Sequence, residues 1–476
     1  MFRRVTTAVL IVLAVCGGGC ALRQKPKPLP DLAQIFRPAR EMTGKTPVIV
    51  IPGMLGSRLV NKSTGEKVWP RAHPKEDELS LPTSPDLTKN RDDVVAVDVV
   101  ETAKLGFPIP EIKVYEELTE TLATHAGYKR GDIDNPSPGG DRDTFYLFAY
   151  DWRRDNVESA QLLAEKIARL KQRLGRPDLR FNLIAHSMGG LVARYYMMYG
   201  GEDVLGRAGA KVTWAGATGI NKLVLVGVPN EGTMESVRAL VEGFPVAESG
   251  LLPLFGTVEA ETAFTMPAAF QLLPHRGSQE FYDGGLRPVT ADLYEVETWR
   301  RYRWSIFDPS YRKALTKRMQ KAHGAGWQTH FDNLLAEREA YLKVALARAR
   351  LFAEALDEKA DLANPLKVFI FAGDCERTPR AAVMTEAGGV VKTIFRPGKV
   401  LLKGTGLTRA DVEAKMLEAG DGRITRRSAL AVGFGESINA RFDRSDLLFT
   451  IFGCQIHSDL PNDATFQDNL LSIFLK

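Results

Sequence analysis

Short runs of apolar residues, many of them β-branched or aromatic, punctuate the chain at Val48–Ile51, Phe145–Phe148, Phe181–Ala185, Leu223–Val226, Val368–Phe371 and Leu447–Ile451. Brief runs without polar alternation suit strands buried on both faces of a parallel sheet. Between them, stretches such as Tyr115–His125 and Ser159–Leu174 place apolar residues at helical spacing. Strands alternating with helices predict an α/β fold, a mostly parallel sheet with helices on both faces. No repeat emerges along the chain.

Two stretches break this rhythm and read as cap insertions. One, about 57–110, is rich in Pro, Asp and Lys; the other, about 235–362, ends in a long charged helical pattern. Phe331, Leu335, Leu342, Ala345, Phe352 and Leu356 form a stripe there that either packs on the body or binds a partner helix. The same insertion carries eight Lys or Arg between Arg300 and Lys321 against one acid, Asp308, with Tyr302, Trp304 and Phe307 among them. A basic, aromatic surface would suit an anionic lipid headgroup layer, while a solvated face over ordinary core aromatics accounts for the same residues.

The start of the chain adds a location. Arg3 and Arg4 precede an apolar segment too short to span a bilayer, and Gly17, Gly18 and Gly19 then lead to Cys20. Residues 1–19 read as an export signal, and the approach to Cys20 resembles a bacterial lipobox, in which that cysteine is lipidated. Residues 20–44, with Lys25-Pro26-Lys27-Pro28-Leu29-Pro30, then form a semi-stiff linker. The expected location is the bacterial cell envelope, lipid-anchored at the outer membrane or periplasmic face, with plain secretion as the alternative. Residues 45–476 read as one elaborated domain, since about 430 residues bury a large core. A formal net charge of +5 over 476 residues gives no argument for nucleic acid. Of the four cysteines only Cys375 and Cys454 lie beyond the signal region, either paired or as two buried thiols.

The chemistry centres on Ile184–Met197, IAHSMGGLVARYYM, where one serine stands between a strand pattern and a helix pattern. Small residues on either side, Ala185 and Gly189, allow the tight turn of a nucleophile elbow, which lifts the Ser187 hydroxyl clear. The helix N-terminus behind it offers N–H groups to an oxyanion. A serine nucleophile needs a histidine base, itself oriented by an acid. In α/β-hydrolases the order along the chain is Ser, acid, His. Of His73, His125, His186, His275, His323, His330 and His457, that order favours His457, in the loop after the last strand. His186, beside the serine, should turn away from it. For the acid, Asp374 directly follows a strand and Asp421 sits in a later Gly-Asp-Gly turn, and position alone leans slightly to Asp374.

The segments TPVIVIPGMLGSRLV, FAYDWRRDN, IAHSMGG, NKLVLVGVPNEGT, FQLLP and GDGRITRRSAL together resemble the lecithin:cholesterol acyltransferase family, in the expected order across nearly the whole mature chain. The resemblance implies an α/β-hydrolase fold with a helical cap. It places the acid on Asp421, with Arg423 where the family has Thr, and leaves Asp374 as a structural turn residue. It also implies oxyanion donors at the backbone N–H groups of Met54 and Met188. Asp151, Trp152 and Arg153 read as a buried group that holds the site, and Trp69 as an acyl-pocket or core residue.

The expected activity is transfer of a fatty acyl chain from a phospholipid or other lipid ester to an alcohol, through an acyl-enzyme on Ser187. Hydrolysis of the same esters is the first alternative and a non-catalytic lipid-binding lipoprotein the second. The expected partners are membrane lipids, as substrate, and the membrane surface through the anchor. The mechanism calls for no cofactor or metal.

Overall fold

The structure is a computed structural model that describes residues 31–475 except 105–110, 247–255, 276, 278–279, 359–365, 388–389, 399–405 and 432–446. The export segment and Cys20 lie outside the described residues.

A seven-stranded sheet organises the described residues. Its strands are β1 (Val48–Ile51), β2 (Lys129–Gly131), β3 (Thr144–Leu147), β4 (Phe181–His186), β5 (Ile220–Val226), β6 (Lys367–Gly373) and β7 (Leu447–Gly453). They lie in the order β7-β6-β5-β4-β1-β3-β2, and every neighbouring pair is parallel. The apolar runs of the sequence became six of these strands. The seventh, Lys129-Arg130-Gly131, is an edge strand with little apolar signal.

Alternation within the strands builds two cores. Ile49, Ile51, Leu183, Leu223, Leu225 and Ile370 face one side, with Val157, Leu163 and Ile167 of the helix Asn156–Arg173. Val48, Val50, Ile184, Val224, Val226 and Phe371 face the other, with Leu470 and Leu471 of the helix Ala464–Leu475. This is the α/β-hydrolase arrangement, helices on both faces of a parallel sheet. The helix Asn156–Arg173 begins where the sequence supplies a cap: the Asp155 carboxylate accepts from Val157 N–H, and Lys171 and Arg173 occupy the last turn.

Accessory layers come from three excursions. Within 57–110, Ser57–Asn61 pairs antiparallel with Lys67–Trp69 and with Val94–Val99. Within 235–362, the 31-residue helix Trp327–Asp357 buries Leu342, Ala345, Phe352 and Leu356 of the expected stripe in the main core, with Phe331 and Leu335 half-buried. The third runs between β6 and β7. There Glu376–Pro379 pairs antiparallel with Leu417–Gly420, and Ala381–Ala387 lies beside Glu280–Asp283 of the second excursion.

Of the two readings of the basic, aromatic stretch, ordinary core aromatics is the one the burial agrees with. Tyr302, Trp304 and Phe307 are buried, because large rings gain more from packing than any exposed face returns. Several of the cations are paired as well: Arg300 meets Glu297 and Glu339, and Arg318 meets Glu261. Among the described residues no helix is long and apolar enough to cross a membrane.

Candidate active site

Parallel register brings the carboxyl ends of the central strands side by side: Ile51 is opposite Ala185, Val226 opposite both His186 and Phe371, and Gly373 opposite Gly453. The chain reverses direction across the sheet at β1 and β4, the crevice where α/β sheets place ligands. Ser187 follows β4 at this edge. Its φ of 53° and ψ of −128° put a non-glycine residue in a strained region of backbone space, held by Ser187 N–H to Val226 C=O at 2.8 Å. The turn needs glycine at 189, since a Cβ there would run into the carbonyl oxygens of Pro52 and Ile51.

His457 opens the loop after β7. Its Nε2 lies 2.9 Å from Ser187 Oγ and its Nδ1 lies 2.8 Å from Asp421 Oδ2. An ionised carboxylate can only accept, so Nδ1 carries the proton and Nε2 accepts from the serine hydroxyl. Asp421 is nearly sealed from solvent, 2% exposed, and its other oxygen accepts from the N–H groups of Arg423 and Ile424 at 3.0 and 2.7 Å. The backbone joins the same network, since His457 N–H donates to the Asp421 carbonyl at 2.9 Å. Thr378 supports the turn by accepting from Gly422 N–H at 2.8 Å. Gly227, after β5, has φ +55°. A Cβ there would lie 2.9 Å from Leu460 Cδ1, 3.2 Å from His457 Nδ1 and 3.3 Å from Asp421 Oδ2, so a side chain at this position would push on Leu460, His457 and Asp421.

Asp374 sits apart from this line. Its side chain is 28% exposed, with Arg426 at 3.9 Å. Beside it, Cys375 and Cys454 form a disulfide with Cα atoms 4.9 Å apart, joining the end of β6 to the end of β7.

The loop after β1 approaches from the other side. Among the described residues, no protein oxygen accepts from the N–H of Met54 or Met188, and both residues belong to the two turns that meet at Ser187. Trp69 Nε1–H donates to the Leu55 carbonyl at 2.7 Å, Tyr150 Oη–H to the Pro52 carbonyl at 2.8 Å and Trp152 Nε1–H to the Ser57 carbonyl at 3.1 Å. The Tyr150-Asp151-Trp152-Arg153 segment therefore braces this loop. Arg153 is fully buried with Asp151 and Asp92 each at 2.7 Å, and these carboxylates raise its pKa against the burial that lowers it.

A cavity of about 320 Å³ opens on Ser187 and His457. Met54, Trp69, Val100, Phe244, Met266 and Leu272 make its apolar wall, so Trp69 both packs and lines the cavity. Arg423, Lys113 and Asp459 contribute polar groups to it. Among the described residues no group of three or more His, Cys, Asp or Glu could hold a metal ion.

His186 points away from the serine yet is part of the site. Its Nδ1 lies 2.7 Å from the Tyr115 hydroxyl and its Nε2 3.2 Å from the His457 carbonyl. Burial, and then the nearby His457, push its pKa well below the ordinary histidine value. Neither Tyr115 nor this bond carries any spacing signal in the sequence. The contacts exist only once β4 and the loop after β7 are adjacent.

A model of the family described as lecithin:cholesterol acyltransferase matches residues 88–304, which include the elbow but not Asp421 or His457. Among curated proteins none matches the chain. Of solved structures, the crystal structure of the Tle4–Tli4 complex is similar over 90% of this chain and 98% of that one, at 14% identity and a TM-score of 0.55. The crystal structure of Bacillus licheniformis lipase BlEst2 in mature form overlaps 91% of this chain and 93% of that one, at 12% identity and a TM-score of 0.28.

Proposed function

We propose that this chain, which resembles the lecithin:cholesterol acyltransferase family and matches its model over residues 88–304, is a serine-dependent lipid acyltransferase. It moves a fatty acyl chain from a phospholipid or other lipid ester to an alcohol. The observation that carries this reading is the hydrogen-bonded line Ser187–His457–Asp421 at the wall of an apolar cavity. Ser187 Oγ attacks the ester carbonyl as His457 Nε2 takes its proton, and Asp421 holds the imidazolium. The N–H groups of Met54 and Met188 receive the oxyanion. His457 returns the proton to the leaving alcohol, and the acyl-enzyme then passes its acyl group to an acceptor activated by His457.

An apolar wall favours a lipid alcohol over water as that acceptor; with water the same steps give a lipase or phospholipase. The polar groups of Arg423, Lys113 and Asp459 suit an ester donor with a polar head. The reading extends to location, with the enzyme anchored on the cell envelope through lipidated Cys20. The Cys375–Cys454 disulfide supports an oxidising compartment.

The test is acyl partition on phospholipid vesicles with labelled acyl chains, with and without a long-chain alcohol or sterol. Label in a new ester, lost in Ser187→Ala, is the expected result. Serine-dependent fatty acid alone would make the enzyme a hydrolase, and no turnover by the parent protein would overturn the reading.

A further inference from the structure

Tyr115 and His186 occupy the junction of four segments that are distant in sequence. Tyr115 precedes the short helix Glu116–Glu120 and is 1% exposed. A buried phenol needs partners for its hydroxyl, and this one has two from different segments. It accepts from Gly53 N–H at 2.9 Å, in the loop after β1, and lies 2.7 Å from His186 Nδ1. With its oxygen accepting from Gly53, its own O–H donates to Nδ1. That leaves the His186 proton on Nε2, which donates to the His457 carbonyl at 3.2 Å.

We propose that Tyr115 and His186 are positioning residues, a neutral hydrogen-bonded strut that fixes the oxyanion loop relative to the loop carrying the base. The inference rests on the serine-dependent reading of the site. Gly53 directly precedes Met54, so one end of the strut sets the N–H meant for the oxyanion. The other end sets the His457 backbone, whose N–H is held by the Asp421 carbonyl and whose C=O is held by His186. With the ring bonded to Asp421 and Ser187, His457 is restrained at both its backbone and its side chain.

Neutrality follows from the placement. The rings of His186 and His457 are 5.0 Å apart, so a charged His186 would oppose the imidazolium that must form on His457. Burial of His186 and the Tyr115 donor on Nδ1 keep the proton off. An ordinary buried histidine would need only any pair of partners. Here the two partners lie beside the two halves of the reaction site.

The experiment compares Tyr115→Phe, His186→Ala and His186→Gln with the parent protein, with Tyr146→Phe as a control. Tyr146 loses a buried hydroxyl bond of the same kind, to the Gly140 carbonyl at 2.7 Å, outside the cavity. kcat and KM are measured on a p-nitrophenyl ester, Ser187 phosphonylation by a fluorophosphonate is followed by intact mass, and folding is followed by Tm. Misplacing a reacting group by about 1 Å costs on the order of 100-fold. His186→Ala should therefore lower kcat about 100-fold with KM within about threefold, and Tyr115→Phe about 10-fold. His186→Gln, which keeps a donor near the Nε2 position, should recover part of the loss. Tyr146→Phe should lower Tm with parental kcat.

Parental kcat in Tyr115→Phe and His186→Ala would overturn the strut, as would losses that simply follow Tm across all variants, Tyr146→Phe included. If His186→Ala does not fold, Tyr115→Phe against Tyr146→Phe decides. A parent protein that is not phosphonylated at Ser187 would instead sink the serine-dependent reading itself, and the strut with it.

Discussion

Two candidate acids follow β6, Asp374 and Asp421, and their surroundings are opposite. Asp374 comes directly off the strand, where a simple strand-by-strand reading would put the acid, yet its side chain is 28% exposed, with Arg426 at 3.9 Å and Cys375 Sγ at 3.7 Å. Asp421 comes more than forty residues later, after a detour through the antiparallel pair Glu376–Pro379 and Leu417–Gly420. That pair returns the chain to its starting point and delivers Asp421 to His457 at 2.8 Å, with two backbone N–H groups on its other oxygen. The difference teaches that position after a strand does not equip a carboxylate to orient a base. Desolvation and fixed donors do, and here a hairpin-like excursion supplies both.

The sharpest way to break this comparison is to neutralise each acid in turn. Asp421→Asn should lower kcat by about 10⁴, because an amide favours the wrong histidine tautomer, whereas Asp374→Asn should stay within about twofold in steady-state ester turnover. The reverse ranking would move the acid back to the strand end.

Next in size is the covalent link beside Asp374. If that region is structural, Cys375→Ser with Cys454→Ser should cost stability on the order of 4 kcal/mol in denaturant unfolding while kcat at 25 °C stays close to parental. A collapse of kcat in the folded variant would mean that the Asp374 end directly holds the histidine loop in working position.

The smallest effect sharpens the contrast from the histidine side. Burial holds His186 neutral, so the folded chain refuses a proton that the unfolded chain accepts. Its contribution to stability is complete above about pH 6.5 and is lost as pH falls from there toward the depressed folded pKa, by at most about 1.4 kcal/mol per pH unit. Unfolding free energies of the parent and His186→Gln, compared from about pH 7 to about pH 5, should converge as pH falls. Parallel curves would mean that His186 titrates normally.

What the sequence disclosed follows from how local each signal is. The elbow around Ser187 and the apolar strands are set by neighbours in the chain, so Phe181–His186 and Met188–Tyr199 were legible. Lys129–Gly131 was not, because an edge strand of two cations and a glycine owes its conformation to the adjacent β3. The pairing of Cys375 with Cys454 was open because it depends on the spacing of β6 and β7. The burial of Tyr302, Trp304 and Phe307 was open because interleaved charge does not say which way a ring turns. The contacts of Tyr115 were invisible for the same physical reason: the two partners of its hydroxyl, Gly53 and His186, come from two other segments.

Gly227 carries a further consequence. Its left-handed backbone and its closeness to Leu460, His457 and Asp421 mean that even a methyl group would press on these three side chains. Most positions in a protein tolerate drift in small increments, but this one starts from a residue with no side chain at all, so in a saturation-mutagenesis map it should stand out as an intolerant column. If the proposed chemistry holds, Gly227→Ala would disturb the site by a change placed wholly inside, with the exterior unaltered and the Ser187 hydroxyl left in the chain.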